Sequence, residues 1–291
     1  MPSYNQADHY GCAEILFGRF RDRHSQSEDI VGATKWCVFK EDQQVTHAAV
    51  LDVVRERMKR MRSSRVDHLQ FHWYDYSDKR YLICLDILRE FQNSGLIAAL
   101  GLCNFDSFHM DEACTKLGPG VISTNQVPFS IVDTRPFYRM SAVCKKYGVK
   151  LLTYGTLCGG FLADKWIGAP EPDPYADKLS PSQRKYLDVI LKAWGTWELF
   201  QDLLRLLRDI GDRHGGISVS NVATRWVLDH SFVGAVIIGA RLGITDHAED
   251  NLKVFGFNLT RKDKTDIVEL LARSNADKMI YTIGDCGAEY R

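Results

Sequence analysis

The amino-acid sequence predicts an α/β protein whose parallel strands form one barrel. Three observations lead to this prediction. Short runs rich in β-branched and apolar residues recur along the chain, and longer segments with helical periodicity separate them. The strand runs are apolar on both faces, which is typical of a parallel sheet covered by helices with right-handed crossovers. No Gly-x-Gly-x-x-Gly motif follows a predicted strand, and no Gly-x-x-x-x-Gly-Lys-Ser/Thr motif is present, so a Rossmann fold and a P-loop fold are both disfavoured.

The elements alternate regularly through the first half of the chain and again at its end. The predicted strands are 32–39, 66–73, 97–104, 121–129, 149–157 and 233–239. The predicted crossover helices are 46–61, 81–93, 106–117 and 137–147, because apolar residues recur in them at three- and four-residue spacing. Gly95, Gly118 and Gly148 follow three of these helices, where a helix end favours a left-handed residue.

The alternation changes before the last strand. Residues 182–214 are predicted to be helical, because the apolar residues between 199 and 210 form one stripe, and a second helix is predicted at 220–229. Residues 168–181 contain four of the eight prolines. We expect them to form a surface segment that helps to wall a pocket.

Composition limits the classes of function. The chain has 291 residues, of which 45% are hydrophobic, enough for one domain over 1–291 with a substantial core. Basic and acidic residues number 37 each, so no basic field favours nucleic acid or an anionic membrane surface. The sequence shows no leader and no apolar run of about 18 residues, so a cytoplasmic location is expected. The eight cysteines include no C-x-x-C pair; we expect free thiols and no metal site.

Polar residues interrupt or end several predicted strands. In a parallel barrel the active site lies at the carboxyl ends of the strands, so these residues are candidates for it. They are Lys35, His72, Asn104, Gln126 and Tyr154. Taken singly, most have a simpler interpretation: His72 and Tyr154 as core residues, and Asn104 as a helix cap. Lys35 is the exception, because a lysine is rarely buried without a partner.

These residues, with the segment Asn-Gln-Ala-Asp-His-Tyr-Gly at 5–11, resemble the aldo-keto reductase superfamily, whose members are TIM-type (β/α)8 barrels that reduce carbonyl groups with NADPH. The resemblance covers nearly the whole chain. It is strongest in five segments that occur in the family's order, at 67–73, 101–105, 125–127, 152–157 and 236–241. It implies that Tyr10 is the proton donor, that Lys35 is the cation beside it, and that His72 orients the carbonyl oxygen.

The resemblance also implies a cofactor site. Asn104 and Gln126 resemble the residues that hydrogen-bond the carboxamide, and Tyr154 resembles the aromatic residue that stacks on the nicotinamide. The full set of implied cofactor residues is Cys103, Asn104, Gln126, Tyr154, Gly155, Leu157, Gly239, Ala240, Arg241 and Asn251. The last four resemble the site for the adenosine 2′-phosphate, which a guanidinium can bind bidentately, so NADPH is favoured over NADH.

Two departures from the family pattern concern activity. Asn5 stands where the family has an aspartate that pairs with the lysine. At about 4 Å and an effective dielectric near 20, the lost attraction is on the order of 4 kcal/mol, so Tyr10 should be a weaker acid than usual. The chain also begins almost at this motif, so the first one or two barrel strands are expected to be missing. Residues 2–6 or 278–291 could rearrange, a second subunit could cover the barrel edge, or the chain is a shortened product.

Three functions therefore stay open at this stage. The first is an NADPH-dependent reductase of an aldehyde or ketone, whose partner is a small carbonyl compound. The second is a non-redox acid/base enzyme, such as an isomerase, lyase or cyclase, on the same scaffold. The third is a non-catalytic cofactor-binding or regulatory protein. The order and spacing of the motifs favour the first, and Asn5 is the reason to keep the others.

Overall fold

The computed structural model describes residues 3–24, 29–41, 43–175, 179–239 and 247–291. The chain divides into two compact units. The first unit comprises Met1–Val127, Ala142–Leu151 and Cys286–Arg291, and the second comprises Pro128–Ser141 and Leu152–Asp285. The single domain expected from composition stays a prediction.

Parallel strands in chain order make up the sheet, which confirms the α/β class. The strands of the described residues are β1 (Ser3–Asn5), β2 (Val31–Val38), β3 (Val66–Trp73), β4 (Ile97–Cys103), β5 (Ile122–Pro128), β6 (Lys150–Tyr154) and β7 (Val233–Val236). The pairings from β1 to β5 are all parallel. All six predicted strands are present, although the last two end three residues earlier than predicted. The short strand β1, which pairs with β2, was not predicted.

Helices separate the strands. In the described residues they are α1 (Ala13–Arg23), α2 (His47–Arg60), α3 (Arg80–Asn93), α4 (Ser107–Leu117), α5 (Met140–Tyr147), α6 (Pro181–Val189), α7 (Trp197–Arg213), α8 (Val219–Leu228), α9 (Ala248–Leu252), α10 (Arg261–Leu271) and α11 (Met279–Ile283). Gly95, Gly118 and Gly148 all have positive φ, as the sequence predicted. Side-chain caps define several starts; the Thr46 hydroxyl, for example, accepts a hydrogen bond from the Ala49 amide at the start of α2.

Two predicted helices differ from those observed. Residues 182–214 are not one helix: α6 runs into a π-helical turn, Ile190–Trp194, and α7 begins after a break at Gly195. The Thr196 hydroxyl caps α7 by accepting from the Leu199 amide, which is the local reason for the break. The helix predicted from residue 137 begins at Met140, because Arg135–Phe137 forms a 3-10 turn.

The two faces of β2 to β5 in the first unit carry different chemistry. Because side chains alternate along a strand, Lys35 lies on one face together with the residue opposite it, Gln70, while Trp36 and Phe71 lie on the other. Trp36 and Phe71 are buried, and their ring centroids are 5.1 Å apart. The polar face continues on the neighbouring strands, where His68 contacts Thr124 at 2.8 Å. This polar face is where the candidate site is built.

The second unit has its own apolar core, in which α7 and α8 pack together. Leu203, Leu207 and Ile210 on α7 are fully buried, as is Val222 on α8. The predicted apolar stripe is therefore confirmed as a core stripe. Among the described residues, no helix is both long enough and apolar enough to cross a membrane. All eight cysteines are free, as predicted.

Candidate active site

Lys35 on β2 is buried, with only 2% of its surface exposed. Its ammonium donates to Asn5 Oδ1 at 2.5 Å and to the carbonyl oxygen of Gln6 at 2.7 Å. Burial lowers the pKa of Lys35, and the Cys103 thiol is the first of the neighbours that oppose this shift. The lysine predicted from sequence is thus a buried cation that two oxygen acceptors hold in place, one of them supplied by Asn5.

Tyr10 lies directly beside this cation. The turn after β1 carries its ring to 5.4 Å from Lys35 Nζ, with the ammonium over the ring. The side chain is half-exposed, at 51%. Desolvation nevertheless raises the pKa of Tyr10, with Cys103 and Cys37 as the next causes. Burial is the leading cause of this shift, and the effect of Asn5 on the acidity of Tyr10 stays a prediction.

His72 on β3 is 1% exposed, and one of its ring nitrogens has a protein partner. Nδ1 lies 3.1 Å from the carbonyl oxygen of Cys103. A carbonyl oxygen only accepts, so Nδ1 carries the hydrogen. Nε2 is buried, and none of the described residues forms a hydrogen bond with it. Burial lowers the pKa of His72 to about 4, so the ring is neutral near pH 7 and Nε2 is a hydrogen-bond acceptor.

Aromatic rings connect His72 to Tyr10. The Phe39 ring lies 5.3 Å from the His72 ring and 5.1 Å from that of His9, and His9 lies 4.6 Å from Tyr10. On the other side, Tyr290 lies 6.3 Å from His72 with the rings edge to face. The structure therefore brings Tyr10 and Lys35 into contact, and it joins His72 to Tyr10 through His9 and Phe39.

Asn104 follows β4 in a left-handed conformation, with φ of 58°, and it is buried. Its backbone N–H donates to the backbone carbonyl oxygen of Gln126 at 2.8 Å, and its own backbone carbonyl accepts from Arg291 Nη2 at 2.7 Å. The alternative interpretation of Asn104 as a helix cap is wrong, because Asp106 caps α4 by accepting from the His109 amide. Burial raises the pKa of the neighbouring Cys103 to about 11, so this residue stays a thiol.

A chain of amide groups starts at Lys35 and was not foreseen from the sequence. Asn5 Nδ2 donates to Gln70 Oε1 at 3.4 Å, and Gln70 Nε2 donates to Gln126 Oε1 at 2.9 Å. Gln70 is fully buried. We call Lys35, Asn5, Gln70 and Gln126 the amide chain. The sequence carried one signal for Gln70: it lies two residues before His72, so both side chains lie on the same face of β3.

The remaining predicted cofactor residues belong to the second unit. Tyr154 ends β6, and Gly155 follows with φ of 70°, where an added Cβ would lie 2.0 Å from Tyr186 Oη. Leu157 is partly buried against the core of this unit. Asn251 lies in α9, and Gly239 follows β7 and is exposed. Ala240 and Arg241 lie outside the described residues.

One group of side chains could hold a metal ion in the described residues. The ligand atoms of Asp8, His9 and Cys37 lie within 4.8 Å of one another. Asp8 Oδ2 already accepts from the Cys37 amide at 3.0 Å and lies 3.7 Å from Arg57. Because hydrogen bonding and the arginine charge account for this carboxylate, the group is explained without a metal.

Comparison with known proteins identifies relatives that match most of the chain. A profile of the Aldo/keto reductase family matches residues 3–272. The chain is 24% identical over 276 residues to the aldo-keto reductase YhdN of Bacillus subtilis (strain 168), covering 92% of this chain and 78% of that protein. It is 23% identical to the chloroplastic pyridoxal reductase of Arabidopsis thaliana, covering 96% of this chain and 75% of the relative.

Solved structures have the same fold. A glycerol dehydrogenase from Gluconobacter oxydans superposes with a TM-score of 0.74 at 24% identity, covering 94% of this chain and 81% of the other. An aldo/keto reductase from Klebsiella pneumoniae in complex with NADP and acetate gives a TM-score of 0.68 at 17% identity, covering 93% and 80%. At these identities the likeness concerns the fold alone.

Proposed function

The chain belongs to the aldo/keto reductase family, and from this premise we propose that it reduces the carbonyl group of an aldehyde or ketone with NADPH, with Tyr10 as the proton donor. The family consists of oxidoreductases that use NAD(P)H; the choice of NADPH, the substrate class and the role of Tyr10 are the proposal. The observation that carries it is the buried ammonium of Lys35 lying 5.4 Å from the Tyr10 ring.

The pair of Tyr10 and Lys35 supplies the proton transfer that carbonyl reduction needs. When bound, the nicotinamide supplies a hydride to the carbonyl carbon, and the oxygen must then gain a proton. The raised pKa of Tyr10 keeps its phenol protonated near neutral pH, so the hydrogen is present at Oη. After Tyr10 gives up this proton, the Lys35 ammonium stabilises the phenolate that remains. Asn5 and the Gln6 carbonyl hold the ammonium in place for this role.

The residues of the first unit fit a nicotinamide. Its carboxamide offers an oxygen that accepts and an amino group that donates. Gln126 Oε1 already accepts from Gln70, so its Nε2 hydrogens are the group left to bind a carboxamide oxygen. We propose Gln126, Asn104 and Cys103 as cofactor residues of this unit. We also propose Tyr154, Gly155, Leu157, Gly239, Ala240, Arg241 and Asn251 as cofactor residues, from the sequence resemblance.

The tautomer of His72 determines whether its Nε2 can hydrogen-bond the carbonyl substrate or the alcohol product. In its protonated form, Tyr10 Oη can donate to the oxygen of either a carbonyl or an alcohol, whereas the phenolate left directly after proton transfer can only accept. Nε2 of the neutral His72 ring can only accept, so it pairs with the hydroxyl of an alcohol and not with a carbonyl oxygen. We propose that protonated Tyr10 and His72 together hold the alcohol, and that Tyr10 alone hydrogen-bonds the carbonyl. This proposal differs from the role that the sequence resemblance implies, in which His72 orients the carbonyl oxygen.

Turnover with a panel of aldehydes and ketones, followed by NADPH oxidation, tests the proposal. We expect Tyr10→Phe to lower kcat by at least about 100-fold while the Kd for NADPH stays within about twofold, because the phenol supplies the proton and not the cofactor contacts. Cys12→Ser is a suitable control, since Cys12 is an exposed free thiol.

Other outcomes select among the alternatives. Tight NADPH binding without turnover of any substrate would favour the non-catalytic protein. Turnover of a hydroxy-carbonyl or cyclic substrate in the absence of nicotinamide would favour the acid/base enzyme. Failure to bind either NADPH or NADH would remove the redox proposal altogether.

A further inference from the structure

We propose that Gln70 is a positioning residue that fixes which atom of the Gln126 amide faces the cofactor. The orientation of Gln70 is in turn set by Asn5, which Lys35 orients at the other end of the amide chain. This inference rests on the proposed function, because the proposed function assigns Gln126 to the carboxamide. The residues themselves and their order of contact are independent of that assignment.

The direction of the amide chain follows from its first member. An ammonium can only donate, so the Asn5 atom that faces Lys35 must be the oxygen, Oδ1. Asn5 then presents Nδ2 to Gln70, and only Gln70 Oε1 can accept from it. Each amide has one accepting and one donating end, so fixing the first amide fixes every amide that follows.

The same reasoning determines the last member. Gln70 has used its oxygen, so Nε2 is the atom that faces Gln126, and Gln126 must accept through Oε1. No hydrogen bond of Gln126 Nε2 occurs in the described part of the chain. The amide chain therefore presents a donor at its end, and a bound carboxamide must offer its oxygen there.

Burial keeps the side-chain amides of Gln70 and Gln126 in one orientation. Gln70 is fully buried and Gln126 is 7% exposed, so neither amide can exchange its protein partner for bulk water without a cost. Rotating either one would place two oxygens or two NH2 groups against each other. The neighbouring parallel strands β2 and β3 pair Lys35 with Gln70 in register. This pairing is why the side chains of the amide chain lie close enough to hydrogen-bond.

An aspartate at position 5 would reverse the direction. Both oxygens of a carboxylate accept, so the atom facing Gln70 would be an oxygen, and Gln70 would have to turn Nε2 toward it. Gln70 Oε1 would then face Gln126, which would donate through Nε2 and present Oε1 to the cofactor. A glutamate at position 70 has the same effect on Gln126, because it too can only accept.

Cofactor analogues distinguish the two directions without any turnover. The acetylpyridine analogue of NADP+ keeps the carbonyl oxygen but lacks the amino group, so it can satisfy a donor and cannot satisfy an acceptor. NADP+ itself can rotate its carboxamide and satisfy either. The measurement is the Kd of each, by tryptophan fluorescence, and the quantity compared between variants is the Kd of the analogue divided by that of NADP+.

We expect Asn5→Asp and Gln70→Glu each to raise this ratio by roughly tenfold over that of the unmodified protein, since one hydrogen bond is lost for the analogue only. Gln43→Glu is the matched control, because it introduces the same charge at a residue whose side chain, among the described residues, hydrogen-bonds only the neighbouring Gln44 carbonyl. Its ratio should not change. If Gln70→Glu fails to fold, Asn5→Asp carries the test, since Asn5 is only partly buried.

The outcomes separate this inference from the proposed function. If the unmodified protein binds neither NADP+ nor its analogue, the proposed function fails. If it binds both, and the ratio in Asn5→Asp stays within twofold of the original, the amide chain does not set the direction and the inference is overturned. An equal rise in Gln43→Glu would overturn it as well, because charge alone would then explain the change.

Discussion

The Nδ1 hydrogen of His72 is donated to the carbonyl oxygen of Cys103 across 3.1 Å, and this contact fixes the tautomer of a ring that is 1% exposed. Nε2 on the opposite side of the ring is left as an acceptor. A backbone carbonyl on β4, the strand next to that of His72, therefore determines that Nε2 of His72 accepts a hydrogen bond and does not donate one.

The first prediction concerns the protonation of His72. Burial lowers its pKa to about 4, so we expect its ring to be neutral, with hydrogen on Nδ1, throughout pH 6 to 8. Nitrogen-15 NMR of histidine-labelled protein measures both the tautomer and the titration, and a His72→Asn variant assigns the signal. A His72 signal that titrates between pH 6 and 8, or that carries its hydrogen on Nε2, would contradict the assignment of Nε2 as an acceptor.

The regular part of the fold was predictable because local patterns determine it. Strands such as β3 are short apolar runs, and the glycines after the crossover helices mark their ends. The strand β1 was missed because a three-residue strand has no pattern of its own; it exists through its pairing with β2. The break between α6 and α7 was missed because the apolar stripe of α7 outweighed a single Gly-Thr pair.

The candidate site was predictable where residue type and motif carry the information. Lys35 stood out because a lysine inside a strand needs a partner, and the structure supplies Asn5. Gln70 did not stand out, because its significance depends on contacts with residues 65 positions before it and 56 positions after it. The contact between Arg291 and the Asn104 carbonyl spans 187 positions, and no local pattern in the sequence announces it.

The second prediction concerns a buried carboxylate in the first unit. Glu14 on α1 is fully buried; it accepts from the Thr34 hydroxyl at 2.5 Å and from Arg60 Nε at 2.6 Å. Arg57 lies 3.3 Å away. Removing the carboxylate leaves the guanidinium groups of Arg57 and Arg60 without this buried negative charge. We therefore expect Glu14→Ala to lower the free energy of unfolding by about 3–5 kcal/mol, measured in urea titrations.

An exposed ion pair provides the comparison for Glu14. Lys192 and Asp188 form a salt bridge on the surface of the second unit, with 74% and 55% of their side chains exposed. Asp188→Ala should change the free energy of unfolding by less than about 1 kcal/mol. If the two variants cost the same, burial of Glu14 would not be the source of its contribution.

The third prediction tests how closely the segment Cys286–Arg291 packs on Asn104. Gly287 has φ of 84°, and a Cβ at this residue would lie 2.2 Å from the Asn104 carbonyl oxygen. Because that atom belongs to the backbone, it cannot move aside cheaply. We expect Gly287→Ala to displace the segment and to speed amide hydrogen exchange over residues 284–291, measured by mass spectrometry.

Gly120→Ala is the matched control for this variant. Gly120 has φ of 83°, and an added Cβ there meets nothing within 4 Å. Both substitutions carry the conformational cost of a left-handed alanine, about 1 kcal/mol, and only Gly287→Ala adds a steric clash. Exchange over 284–291 should therefore stay at its original rate in Gly120→Ala. Equal exchange in the two glycine variants would show that the segment does not pack against Asn104 in solution.

The last prediction concerns stability in mild acid. His68 is 9% exposed and lies 2.8 Å from Thr124 Oγ1. Burial, and then the charge of Lys35, lowers its pKa from 6.5 to about 4. The folded protein therefore binds fewer protons than the unfolded chain between these two values. The contribution of the neutral ring to stability is fully present above pH 6.5 and is lost as the pH falls toward 4.

For this one residue, the loss between pH 7.5 and pH 5 is about 2 kcal/mol. We expect His68→Gln, which cannot titrate, to reduce the difference in unfolding free energy between these pH values by that amount. Thr124→Val is the control: it removes the hydrogen bond but keeps the imidazole, so it should lower stability similarly at both pH values. Urea titrations measure all three proteins. If the pH dependence of His68→Gln equals that of the unmodified chain, the imidazole of His68 is not held in its neutral form by burial.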